Sequence, residues 1–139
     1  MRVNWLAILI AAVADWLLGA VWFKAFASQW QAGQPMPSAG LQQHMAGPNF
    51  WPYLVSLFCN FLMAYVIARL LSESHYGLFR GIVVGVLVGL AAMVAMITQM
   101  VFEIRPRPFI LISAAYPLAG CLLMGIILGV WKPKGVRSV

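Results

Sequence analysis

The sequence predicts an all-α integral membrane protein with four transmembrane helices in an up-down antiparallel bundle. Three observations carry this. Four apolar stretches, at about 3–23, 52–71, 81–102 and 109–131, fill most of the 139 residues. Each is close to the ~20 residues that a helix rising ~1.5 Å per residue needs to cross a ~30 Å hydrocarbon layer. Only 9% of residues are charged and 63% are hydrophobic, with a mean hydropathy of +0.90, where soluble domains carry about 25% charge. The deficit is spread over all four stretches, which excludes a soluble domain with a single anchor. Finally, the connections between the second, third and fourth stretches are short, so successive spans run antiparallel. One domain, 1–139, accounts for the whole length.

The first span follows Asn4, with Trp5 and Trp22 at its two ends, where indole rings favour the interface. Arg2 and the Ala25-Phe26-Ala27 triplet imitate a signal peptide, but the run exceeds the ~7–15 residues of a signal core and Asp15 interrupts it. It reads as an uncleaved helix. Ala7, Ala11, Asp15 and Gly19 share one face, and a small face lets a neighbouring backbone approach. The loop 24–51 holds Gly33, Pro35, Pro37, Gly40, Gly47 and Pro48, so it is not one continuous helix. Phe23, Phe26 and Trp30 suit a short interfacial turn, and Gln42, Gln43 and His44 a second helical piece. The segment reads either as a connector with aromatic anchors or as a lid.

Pro52 opens the second span, at a position where its missing N–H costs nothing. Ser56, Asn60, Ala64 and Ala68 are four apart on one face. The third span carries Gly81, Gly85 and Gly89, a spacing that signals close helix contact without naming the partner. It finishes with Thr98, Gln99 and Glu103. Pro106 and Pro108 stiffen the next turn and bias Arg105 and Arg107 away from helix. The fourth span repeats Ser113, Pro117, Cys121, Gly125 and Gly129 every four residues, and Pro117 predicts a kink. Residues 132–139 form a basic tail.

Net charge is +6, but the basic residues sit at span ends, which suits membrane anchoring and leaves nucleic-acid binding without support. Arg2, Arg69, Arg80, Lys132, Lys134 and Arg137 fall on the side of the termini. Lys24, Arg105 and Arg107 fall on the other. Six against three predicts cytoplasmic termini. Cys59 and Cys121 lie inside apolar spans and read as packing residues. The sequence has no CxxC and no metal spacing, and it calls for no cofactor.

Asp15 is the leading candidate for chemistry. A carboxylate deep in a bilayer costs about 2.5–3.5 kcal/mol on insertion scales and usually faces a bundle interior or water. Depth counting places Asn60, Tyr116, Thr98 and Gln99 toward the same end, so these groups are expected to form one polar cluster. Asp15 then reads as a protonated interhelical bond former, as a titrating, cation-binding group, or as a residue facing a subunit interface. Glu103, Arg105 and Arg107 form a second constellation, read either as interfacial charge or as an anion or lipid-headgroup site. His44 and His75 take no role, and no serine has an adjacent base.

Gly19-Ala20-Val21-Trp22-Phe23 closes the first span and Phe102-Glu103-Ile104-Arg105 forms the third turn. Ala115-Tyr116 is followed by Met124-Gly125-Ile126-Ile127-Leu128-Gly129-Val130-Trp131. On these motifs the chain resembles, over nearly its full length, a bacterial four-helix membrane family known as domain of unknown function number 1761. Residues 24–30 depart from it: the family often has Pro and Gly there, and this chain has neither. The resemblance implies architecture and no activity.

The expected partners are the lipid bilayer of the bacterial cytoplasmic membrane and further copies of the chain. The faces Gly81/Gly85/Gly89 and Gly125/Gly129 offer more close-packing surface than one thin bundle needs. Three functions are compatible: a small transport or permeation protein using Asp15, a non-catalytic assembly or regulatory subunit, and an enzyme acting on a lipophilic substrate. The enzyme ranks last, for want of a nucleophile-and-base pair.

Overall fold

A computed structural model describes residues 3–34, 50–73 and 76–133. The second helical piece expected around Gln42–His44, the loop histidines and most of the basic tail lie outside the described residues. Within them run α1 (Trp5–Ala25), α2 (Ala27–Ala32), α3 (Trp51–Glu73), α4 (Leu78–Phe102) and α5 (Arg107–Val130). All but α2 are long and apolar enough to cross a membrane.

Local chemistry sets the ends. The Asn4 side chain caps α1 by accepting from the Ala7 N–H at 3.2 Å, relieving one of the amides that a helix start leaves open. The expected turn after the first span is the short helix α2. α4 begins three residues before Gly81 and includes Arg80, which is exposed and long enough to reach the interface. α5 starts at Arg107, and Pro108 falls in the first turn, where a missing N–H is harmless. α5 continues through Pro117 as one helix.

The turn from α4 to α5 is a Schellman motif. The Arg105 N–H donates to the Met100 carbonyl and the Ile104 N–H to the Val101 carbonyl, both at 3.1 Å. The motif needs a left-handed residue after the helix, usually glycine. Here Ile104 takes that place, at φ 57° and 90% exposed. A branched side chain in this region costs about 1–2 kcal/mol.

α5 is the hub of the fold. Among the described residues it packs against each other helix, while α1 and α4 do not touch. The contact of α4 with α5 is the most extensive, and glycine makes it. A Cβ on Gly81 would strike the Gly125 carbonyl. One on Gly85 would lie 2.5 Å from the Cys121 carbonyl, and one on Gly129 2.6 Å from that of Gly77. The two glycine faces are therefore spent on each other inside one chain. The surplus that suggested further copies is absent.

The end of the bundle near the termini holds the apolar core. Ala7, Ile8, Ala11 and Ala12 of α1 meet Ala64, Ile67, Ala68 and Leu71 of α3 and Met124 and Leu128 of α5. Each is at most 2% exposed. At the loop end α3 and α4 are uncovered. Positions 51–56 of α3, more than a full turn, are all exposed, and no residue of α4 beyond Gly89 is buried.

Candidate functional site

Asp15 stands where these two ends meet. It is the middle residue of α1, with ten helical residues on either side. It is only 5% exposed. Its Oδ1 is pressed against Gly120 of α5, where a Cβ would strike the carboxylate. That oxygen is buried and has no hydrogen-bond partner. The ion pairs among the described residues are Arg69–Glu73 and Arg105–Glu103, so Asp15 has no cationic side chain beside it. A buried charge without a partner is far costlier than a neutral group.

The walls are polar on one side and aromatic on the other. The Tyr116 hydroxyl of α5 donates to the main-chain carbonyl of Asp15 at 2.9 Å. It fits because Gly19 leaves space, since a Cβ there would lie 2.7 Å from the hydroxyl. Asn60 of α3 borders that hydroxyl. The Asn60 amide is satisfied at both ends when its nitrogen donates to the Ser56 carbonyl and its oxygen accepts from the Trp16 N–H, each at 3.3 Å. The Trp16 indole donates to the Ser56 hydroxyl at 3.1 Å and the Trp22 indole to the Ile112 carbonyl at 3.0 Å. Interhelical bonds of this kind average about 0.6 kcal/mol in a membrane, with a maximum of about 1.7. Ser113, one turn before Tyr116, is also buried, and its hydroxyl has no partner.

From Tyr116 a ladder of rings leads to the loop end. Tyr116 meets Phe23 edge-on at 5.3 Å, and Phe23 meets Trp30 at 5.6 Å. Trp30 stacks on Phe109 at 6.4 Å, and the Arg105 guanidinium lies over the Phe109 ring at 5.3 Å. Gly33, closing α2, brings the chain flat onto Phe109, where a Cβ would lie 2.5 Å from the ring. Its carbonyl accepts from Arg105 at 3.0 Å. Arg105 also holds Glu103 at 3.1 Å.

The expected polar cluster is thus only partly assembled. Asp15, Asn60 and Tyr116 come together. Thr98 and Gln99 do not join them, because α4 does not reach α1. Thr98 bonds back to the Val94 carbonyl at 3.0 Å, and Gln99 donates to Glu103 at 2.9 Å. The Gln99 hydrogen bond, then the Arg105 hydrogen bond, hold the Glu103 carboxyl below its ordinary range. Arg107 is exposed at the start of α5. Of the two arginines expected to make an anion site, Arg105 is engaged within the chain.

Gly120 completes the surroundings of Asp15, and the sequence reading gave it no place there. Its signal was available. Tyr116, Gly120, Met124 and Leu128 are spaced by four, one face round from the series through Gly125. That neighbouring face is the one turned to α1 and α3.

These features define an α-helical protein with four membrane-spanning-type helices and, at the middle of the first, a buried carboxyl group with one oxygen left without a partner. The family described as Protein of unknown function (DUF1761) matches residues 6–129, and the chain belongs to that family. No curated protein and no solved structure matches it.

Proposed function

We propose that this is a small transport or permeation protein in which Asp15 exchanges a proton or another cation. One observation carries the reading. Asp15 is buried at mid-helix with an oxygen that no donor satisfies and no cationic side chain to balance it. Intramembrane carboxyl groups of this kind mark ion and proton routes. The packed core closes the end near the termini, while the loop end is open-sided and aromatic. The test is flux in proteoliposomes under an imposed pH gradient. The wild type should dissipate the gradient, and Asp15→Asn should fold yet lose that flux. Equal flux in both would reject the reading.

A non-catalytic assembly subunit is the second reading. It is favoured by Tyr116, whose hydroxyl ties α5 to the main chain of α1 at Asp15, a bond that needs no titration. On that reading Asp15→Asn alters nothing, and Tyr116→Phe loosens the bundle.

The proposal includes a bacterial cytoplasmic membrane with both termini in the cytoplasm, supported by the six-to-three charge split. Single cysteines at Gln42 and Ser74, in a background without Cys59 and Cys121, should label from opposite sides with an impermeant thiol reagent. Labelling of Gln42 from the cytoplasm would reverse the assignment. Association with further copies is also proposed. It rests on the exposed apolar faces of α3 and α4, and cross-linking in native membranes tests it.

A further inference from the structure

Resting on the transport reading, we propose that the cation exchanged at Asp15 is organic, an ammonium or phosphonium centre carrying an apolar body. Three observations point to this class. Asp15, 5% exposed, offers a buried carboxylate oxygen without a partner, and no basic side chain neutralises it. Between it and the loop end Tyr116, Phe23, Trp30 and Phe109 pack ring against ring in sequence, with Trp22 beside Tyr116 at 6.5 Å. And the outermost ring already holds an organic cation, the Arg105 guanidinium over Phe109. Aromatic faces attract cations through their quadrupole and accept apolar groups, which suits quaternary centres in particular. A small metal ion instead needs several oxygen ligands in place of its water. The described residues contain no group of three His, Cys, Asp or Glu that could hold one.

The exchange balances charge. As the organic cation arrives, one proton leaves the Asp15 carboxyl group, and the reverse step restores it. The two therefore compete, and acid favours release. The titratable groups facing Asp15 are Tyr116 and Cys121 of α5. α3 contributes the neutral Asn60, and α2 has no titratable side chain. The nearest charged groups are Lys24 of α1, Arg107 of α5 and Arg105 in the turn before it, all at the loop end. Gly120 closes on the carboxylate in this state, so entry requires α1 and α5 to separate there.

The test uses purified protein in detergent, with tetraphenylphosphonium as probe and tetraphenylborate as a control of the same shape and opposite charge. Binding is followed by equilibrium dialysis, and Asp15 protonation by its carboxyl infrared band, assigned by its loss in Asp15→Asn. The wild type should bind the phosphonium saturably, release one proton per cation bound, and bind more weakly as pH falls. The borate should not saturate. Asp15→Asn should weaken binding about thirtyfold or more, as loss of a buried charge partner does. Phe23→Leu keeps Asp15 and apolar volume but removes a ring, and should weaken binding about twofold to tenfold. Equal binding of both ions, or phosphonium affinity unchanged in Asp15→Asn, overturns the proposal. If the infrared band titrates with pH but the phosphonium neither binds nor displaces the proton, the substrate class falls and proton exchange stands. If the band never titrates, both fall. Should Asp15→Asn not fold, the borate control and Phe23→Leu decide alone.

Discussion

The two ends of this bundle are built from the same apolar alphabet yet pack in opposite ways. Near the termini, alanine and glycine bring backbones together, and the core residues of α1, α3 and α5 are sealed. At the loop end, aromatic side chains make the contacts among α1, α2 and α5, α3 is exposed over positions 51–56, and the buried groups include Asp15 and Ser113. Small side chains let dispersion act between main chains over the whole contact. Large rings fill space but make directional, local contacts. The difference separates a rigid base from a region that can open. Asp15 stands at the boundary, held from below by packing and from above by a few hydrogen bonds.

Substitutions can break this contrast in order of expected size. Gly85→Leu drives a side chain into the Cys121 carbonyl and should cost at least about 3 kcal/mol, near the upper range for overpacking. Ala95→Leu, ten residues further along α4 and exposed, should leave the thermal midpoint in detergent unchanged. Equal losses from the two would mean that α4 is gripped along its whole length, and the contrast would fail.

Gly120→Ala comes next. It places a methyl against the Asp15 carboxylate and should cost about 1–3 kcal/mol. Combining it with Asp15→Ala should recover much of that loss, because the clash disappears. An additive double mutant would show that the two do not touch. Tyr116→Phe should cost about 0.6–1.7 kcal/mol, the value of one interhelical bond. Ile104→Gly should do the reverse. It relieves the left-handed residue of the Schellman turn and should raise stability by about 1 kcal/mol, since the side chain buries almost nothing.

The smallest effect is one of pH. The folded Glu103 carboxyl titrates below the ordinary glutamate value of 4.5, so its contribution is present above that value. It is lost as pH falls through the lower folded value. The group is fully exposed, so acid should shift the melting midpoint only slightly, and Glu103→Gln should abolish that shift.

The spans were legible because their length is dictated by membrane thickness and their apolar runs are unbroken. The Ala7, Ala11 and Asp15 face was legible from spacing, and each of these residues is buried. The partner of the glycine series was not, since a four-residue spacing marks contact without saying what is contacted. Nor was the separation of Gln99 from Asp15. Depth along a helix does not reveal which helices meet, and α4 lies on the side of α5 away from α1. Gly33 shows the limit in a loop. It stood among the residues that rule out a continuous helix, whereas its task is to let Phe109 lie against the main chain.

The hub position of α5 bears on the order of biogenesis. Synthesis reaches α5 only after α1, α2, α3 and α4 have been made. Until then α4 has no partner for its glycines, α1 lacks the tyrosine that caps its central carbonyl, and α2 has no ring to rest on. The Asp15 carboxyl group would meanwhile lie on a helix pair open to lipid or translocon. Folding in the membrane thus has a built-in last step, the docking of one helix that closes its interfaces with α1, α2, α3 and α4 at once. A nascent chain stalled before Arg107 should be loose and readily degraded, and it should tighten abruptly once α5 is released from the ribosome.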